Sequence, residues 1–119
     1  MKDIIELLQR YFDLLYTCDV GEFDKIFHDN AKLQTVGSNG YVILRSAEYK
    51  EVLRKRKSPA STDAAREDEI VTIDQSSDTS AFAKTRALIN GTRYCDYLSL
   101  LRIDGRWVIV AKVYCVVAP

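Results

Sequence analysis

Asp96 is a carboxylate in a segment, Tyr94–Leu101, where strand alternation gives it small and apolar neighbours on its own face. A carboxyl group held among apolar groups favours its neutral acid, the property that a general acid or base needs. Thr85 falls directly across from Asp96 if the flanking turns are tight, close enough for a hydrogen bond. The same residues also suit structural work: Asp96 could bond a hydroxyl from the first helix, or a backbone amide, and fix the core. Both readings stay open at the level of sequence.

The elements that position Asp96 follow from two turn signals. Asn90-Gly91 and Asp104-Gly105 separate three runs of strand-forming residues. Each pair suits a two-residue type I′ turn, which demands positive φ at both positions. Tight turns fix register, and register fixes which side chains share a face. One face then carries Ala81, Ala83, Thr85 and Ala87; Tyr94, Asp96, Leu98 and Leu100; and Trp107, Ile109, Ala111, Val113 and Cys115. Its alanines leave room, and helices laid over that room would enclose a pocket. The opposite face carries Phe82, Lys84, Arg86, Leu88, Cys95, Tyr97, Ser99, Leu101, Val108, Val110, Lys112, Tyr114 and Val116. That face is too apolar for a solvated sheet surface and predicts a homodimer interface, centred on Phe82, Lys84, Tyr97, Val110, Lys112 and Tyr114. Lys84, Tyr97 and Lys112 form a row on it; were it the pocket face instead, Lys112 would be the leading candidate for chemistry. In this register Cys95 and Cys115 point to opposite faces and do not form a disulfide.

Upstream, Ile4, Leu8, Tyr11 and Leu15, widened by Ile5, Phe12 and Tyr16, predict an amphipathic helix over residues 3–17. Asp3 with Glu6, and Asp19 with Glu22, have capping-box spacing. The second pair predicts a short helix over Val20–Phe27. A hairpin follows around Ser38-Asn39-Gly40, then a third helix over 46–56 capped by Ser46, a polar loop holding Pro59, and a strand over Glu69–Asp74. Helices followed by runs of strands define an α+β domain over residues 1–119, a curved antiparallel sheet with three N-terminal helices on its concave face.

Composition narrows the function classes. Lys+Arg and Asp+Glu are equal at 17 each, so no overall field attracts nucleic acid. The basic run Arg54-Lys55-Arg56-Lys57 reads as the solvated end of a helix, with a phosphate contact as the alternative. The N-terminal stretch is charged and short of a membrane span, so the expectation is a cytoplasmic protein. The three cysteines, Cys18, Cys95 and Cys115, read as reduced thiols. With one histidine and no Cys-x-x-Cys pair, neither a metal site nor a cofactor is expected. His28 reads as a helix-end residue satisfying free carbonyls. Arg102 and Trp107 face each other and suggest a cation–π lid, with ring stacking on a flat ligand as the alternative role of Trp107. Tyr49 falls near the expected mouth of the pocket. Arg56 and Arg66 flank the polar loop, where they are either solvent-facing or in contact with an anionic ligand.

Four stretches, YFDLLYTCDVGEFDKIFHDNAKL, EYKEVLRKRKSPAS, AREDEIVTID and YCDYLSLLRIDGRWVIVAKVY, span nearly the whole chain. Together they resemble the nuclear transport factor 2-like superfamily, and within it the bacterial lumazine-binding-like group. The resemblance implies a cystatin-like cone of curved sheet and three helices. The superfamily holds ketosteroid isomerases, polyketide cyclases, dehydratases and non-enzymatic binding or dimerisation modules. Its ketosteroid isomerases pair a carboxylate base with acid and tyrosine donors. The chain departs from the common pattern at FHDNA, where Asn30 replaces an aspartate. The expectation is a protein that binds a small apolar or flat cyclic ligand, with Tyr16, Tyr49, Thr85, Tyr94, Asp96 and Trp107 around it. One alternative is a cofactor-independent isomerase, dehydratase or cyclase using Asp96 with Tyr16 or Tyr94. Another is an interaction module with a filled cone.

Overall fold

The computed structural model describes residues 1–117. Helix α1 (Lys2–Thr17) buries Ile4, Leu7, Leu8, Tyr11, Phe12, Leu14 and Leu15 along one face. It stops at Cys18, whose backbone turns left-handed (φ 55°) while its N–H donates to the Leu14 carbonyl at 2.8 Å. A 3₁₀ turn over Val20–Lys25 replaces the predicted helix Val20–Phe27. The Asp19 carboxylate caps it from outside by accepting from the Gly21 N–H at 3.0 Å. Phe27 instead opens strand β1 (Phe27–Gly37), where its ring stacks on Phe23 at 4.8 Å. His28 accordingly lies in a strand, not at a helix end.

β1 turns through Ser38-Asn39 into β2 (Gly40–Arg45), as the sequence predicts. Helix α2 (Ser46–Lys55) begins one residue after Arg45, whose N–H donates to the Glu48 carboxylate at 2.9 Å. Ser46 is therefore not the cap; its hydroxyl donates to the His28 carbonyl at 2.8 Å and ties α2 to β1. After a 3₁₀ turn at Pro59–Thr62 come β3 (Asp68–Gln75), β4 (Ser80–Ile89), β5 (Thr92–Ile103) and β6 (Arg106–Val116). Among the described residues the helical elements are thus two α-helices and two 3₁₀ turns in place of three helices.

The six strands form one curved, unclosed sheet in the order β2-β1-β6-β5-β4-β3. All neighbours are antiparallel except β1 and β6, which run parallel. That corrects the all-antiparallel expectation: β6 already pairs with β5 through a hairpin, and β1 joins its free edge through the helical connections. The α+β cone is otherwise as expected, with α1 against β4 and β6 and α2 against β1 and β2.

Both tight turns have the required geometry, with φ of 50° and 84° at Asn90-Gly91 and 52° and 77° at Asp104-Gly105. The β4–β5 register matches prediction throughout, with Thr85 opposite Asp96. The β5–β6 register matches only as far as Leu100 opposite Ile109. There Val110 forms a bulge, and beyond it Lys112 faces Leu98, Tyr114 faces Asp96 and Cys115 faces Cys95. An extra residue flips every later side chain to the other face. Lys112 and Tyr114 therefore belong to the concave interior, while Ala111, Val113 and Cys115 leave it. Lys112 is 5% exposed and Val113 48%. Cys95 and Cys115 are direct partners on the outer face, correcting the divergent placement; both thiols are free.

Candidate functional site

The register stacks the inward side chains in layers across β4, β5 and β6. Ala87, Tyr94 and Val116 form the layer at the Asn90-Gly91 end. Thr85, Asp96 and Tyr114 come next, then Ala83, Leu98 and Lys112. Tyr11 from α1 and Tyr49 from α2 meet the middle of this stack. The Tyr11 hydroxyl donates to Asp96 Oδ2 at 2.5 Å. Lys112 Nζ lies 3.8 Å from the same oxygen and donates to the Tyr49 hydroxyl at 3.3 Å. The rings of Tyr11, Tyr49 and Tyr114 surround the ammonium, with centroids 5.1, 5.0 and 5.4 Å away. This is a buried charge pair in an aromatic cage: the ring faces offset part of the hydration that Lys112 loses.

The cluster is sealed from bulk water, since Tyr11, Thr85 and Asp96 are no more than 2% exposed. Burial, then the neighbouring Asp96 charge, push the Tyr11 hydroxyl well above the usual tyrosine range. For Lys112 burial acts first and downward, but the attraction of Asp96 and the bond to Tyr49 outweigh it, leaving the amine raised. Both shifts have the same consequence. A group raised in the folded state stabilises the fold below its unfolded pKa, and that contribution disappears as pH rises through the folded value. Thermal stability will therefore fall as pH climbs above about 10. A Tyr11→Phe, Lys112→Met variant will show a shallower alkaline loss in melting scans, and an unchanged slope would refute this origin.

Among the described residues, three buried side-chain polar atoms have no protein partner: Asp96 Oδ1, Thr85 Oγ1 and Arg56 Nη1. Buried polar atoms are nearly always bonded, so each marks a place for a further polar group. The two oxygens sit on facing residues of one layer. In the adjacent layer Ala87 and Tyr94 help line a cleft of about 500 Å³ at the end of the sheet, with Arg66, Glu67, Arg86, Leu88 and Arg93 around it; Thr85 and Asp96 lie behind that layer and do not line it. The clefts lined by Trp107 and by His28 lie elsewhere on the molecule.

The structure brings together only part of the predicted site. Asp96, Thr85, Tyr94 and Tyr49 converge. Tyr16 does not join them: its hydroxyl donates to the Ala64 carbonyl at 2.9 Å and its ring lies under the Arg66 guanidinium at 5.0 Å. Tyr16 is five residues beyond Tyr11, which turns it about 140° around the helix, so Tyr11 takes the donor position instead. Trp107 pairs with Arg102, three layers from Asp96 or roughly 20 Å along the strand. It packs into the core, and the cation–π contacts among the described residues come from Lys50, Arg66, Lys84 and Lys112 rather than Arg102. Arg66 pairs with Asp13 at 2.6 Å and Asp68 at 2.7 Å. His28 Nδ1 accepts from the Asn30 N–H at 3.0 Å and stays local. Tyr11, Lys112 and Tyr114 are the residues that the sequence reading leaves out of the site. Their signals are a phenol within a buried stripe and a lone lysine in the apolar run IVAKVY.

A curved sheet holding an acid, an amine and phenols against two helices defines the class: an α+β cone of the nuclear transport factor 2-like type. Within that class the chain belongs to the family described as "Putative lumazine-binding", whose profile matches residues 1–115. Solved structures share the fold. A nuclear transport factor 2-like protein of unknown function from Shewanella baltica is 22% identical, with 99% of this chain and 94% of that one covered and a TM-score of 0.87. A second from Silicibacter pomeroyi is 18% identical over 98% and 94%, with a TM-score of 0.86. A ketosteroid isomerase-like protein from Erwinia carotovora atroseptica is 15% identical over 99% and 96%, with a TM-score of 0.76. No functionally curated protein matches the sequence. No helix among the described residues is long and apolar enough to cross a membrane.

Proposed function

We propose that this protein binds a small, flat cyclic molecule between its helices and the concave sheet, at the layers of Tyr94, Asp96 and Thr85. The observation that carries this reading is the facing pair of unpartnered oxygens, Asp96 Oδ1 and Thr85 Oγ1, which lie one layer behind Ala87 and Tyr94 of the cleft, so that a ligand reaches them by displacing the Tyr94 layer. A ligand N–H or O–H donating to Asp96 Oδ1 would meet an acceptor whose other oxygen is already held by Tyr11 and Lys112. Native mass spectrometry of freshly purified protein tests this. A stoichiometric small molecule, lost in Asp96→Leu, is expected; protein that is empty and unmoved in thermal-shift screens against ring fragments would overturn it.

A second reading is acid–base catalysis without a cofactor. Asp96 Oδ1 has a free lone pair, and Tyr11 is placed to respond when the carboxylate changes charge. A further proposal is that a second copy covers the outer sheet face, where Tyr41, Ile43, Val36, Val113, Tyr97 and Leu101 are all at least 39% exposed. The registers place Ile43 beside Gln34, Gln34 beside Val113 and Val113 beside Tyr97, so the apolar belt crosses several strands. Free thiols at Cys18, Cys95 and Cys115 favour a reducing, cytoplasmic setting.

A further inference from the structure

Arg56 follows the last residue of α2, in extended backbone, with its N–H donating to the Val52 carbonyl at 3.0 Å. The next residue, Lys57, accepts through its carbonyl from the Asn90 side chain at 3.0 Å, so this corner sits over the mouth of the stack. From there the Arg56 side chain reaches inward. Its Nη1 is buried and has no protein partner, and among the described residues it makes no ion pair. Its positive charge is felt at Tyr11, Lys112 and Tyr114. Tyr114 also feels Tyr94, which lines the mouth cleft.

The charges of this interior do not balance. Arg56 and Lys112 are two cations, and among the described residues Asp96 is the one buried carboxylate, with Lys112 already on its Oδ2. Two arginines at the rim are paired, Arg66 with Asp13 and Asp68 and Arg93 with Glu67 at 2.7 Å, while Arg86 is exposed, where water solvates its charge. A buried guanidinium donor with no partner is costly, and an anion bonded to it removes that cost. We infer that the cone's ligand is an anion, a flat ring bearing a carboxylate that meets Arg56 Nη1 and a hydroxyl or N–H that donates to Asp96 Oδ1. This rests on the binding reading above and adds the chemical class of the ligand.

The test compares 4-hydroxybenzoate with its neutral isostere 4-hydroxybenzamide by ligand-observed NMR titration of the full chain. The carboxylate should bind at least about tenfold tighter, as a desolvated charge pair allows. That preference should vanish in Arg56→Gln, persist in part in Arg56→Lys, and survive in Arg54→Gln, which alters only an exposed arginine of α2 paired with Glu51. Equal affinity for the two probes would discard the anion while leaving a ring-binding cone. A preference that persists in Arg56→Gln, or disappears in Arg54→Gln, would locate the anion at the surface and overturn the assignment. Binding of neither probe at millimolar concentration would remove both the anion and the cone as its site.

Discussion

Replacing Lys112 with alanine will destabilise the fold by about 3–5 kcal/mol, because it leaves the Asp96 carboxylate buried without its cation. The pair is nearly inaccessible, with Lys112 5% and Asp96 2% exposed. Solvent can therefore do little to screen the charge left behind. The loss has a second part: the lysine stem fills space among Tyr11, Tyr49 and Tyr114, and truncation opens a cavity there. The control is the double variant Asp96→Asn, Lys112→Met. Asparagine still accepts from Tyr11 and methionine restores the volume, so no isolated charge remains. Its cost should fall well short of the sum of the two single changes, which urea unfolding of the four proteins measures directly. A Lys112→Ala cost below about 1 kcal/mol would mean that water reaches Asp96 and that the site is open rather than sealed.

Introducing glutamate at Val113 should split the proposed dimer into monomers. Val113 lies outward, 48% exposed, opposite Tyr97 on β5 and beside Gln34 on β1. It is thus near the centre of the apolar belt on the outer face. A carboxylate there would have to be desolvated twice in a twofold contact, once for each copy, and the cation in its row, Lys84, lies on the far side of Tyr97. Sedimentation equilibrium should show the natural sequence as a dimer and Val113→Glu as a folded monomer with unchanged circular dichroism. A monomeric natural sequence would leave the belt without a second copy to cover it.

Both predictions depend on a residue that leaves no mark in the sequence. The β4–β5 pairing was readable to the last residue because Asn90-Gly91 dictates its turn and nothing interrupts the ladder. The β5–β6 pairing was readable only up to Ile109. A bulge formed by a valine in the run Trp107–Ala111 carries no glycine or proline to announce it. The one clue was chemical. Lys112 sits in an otherwise apolar stretch, and a straight ladder placed it outside, where no partner could be named. The bulge instead delivers it to Asp96. Tyr11 was visible as part of the buried stripe of α1, but periodicity ranks side chains by face and not by what their tips can reach. Tyr16 stands in the sequence reading for that reason, and the packing of α1 puts Tyr11 in its place. The short helix expected at Val20–Phe27 failed for another reason. Periodicity cannot separate one helical turn from a 3₁₀ turn that runs into a strand. Arg56 was assigned to a flank of the polar loop, which is correct, but its inward direction comes from the extended backbone after α2.

The parallel contact of β1 with β6 sets the order in which the domain can assemble. Residues 27–37 must wait for residues 106–116 before their inner edge has a neighbour. During synthesis α1, the β1–β2 hairpin and α2 leave the ribosome long before the strand that unites them with β3, β4 and β5. Such distant pairing closes a large loop of chain late and slows folding relative to hairpins made of neighbours. β6 is also the strand that brings Lys112 to Asp96. The last strand of the domain to be made thus joins the two halves of the sheet and neutralises the carboxylate at its centre in one event.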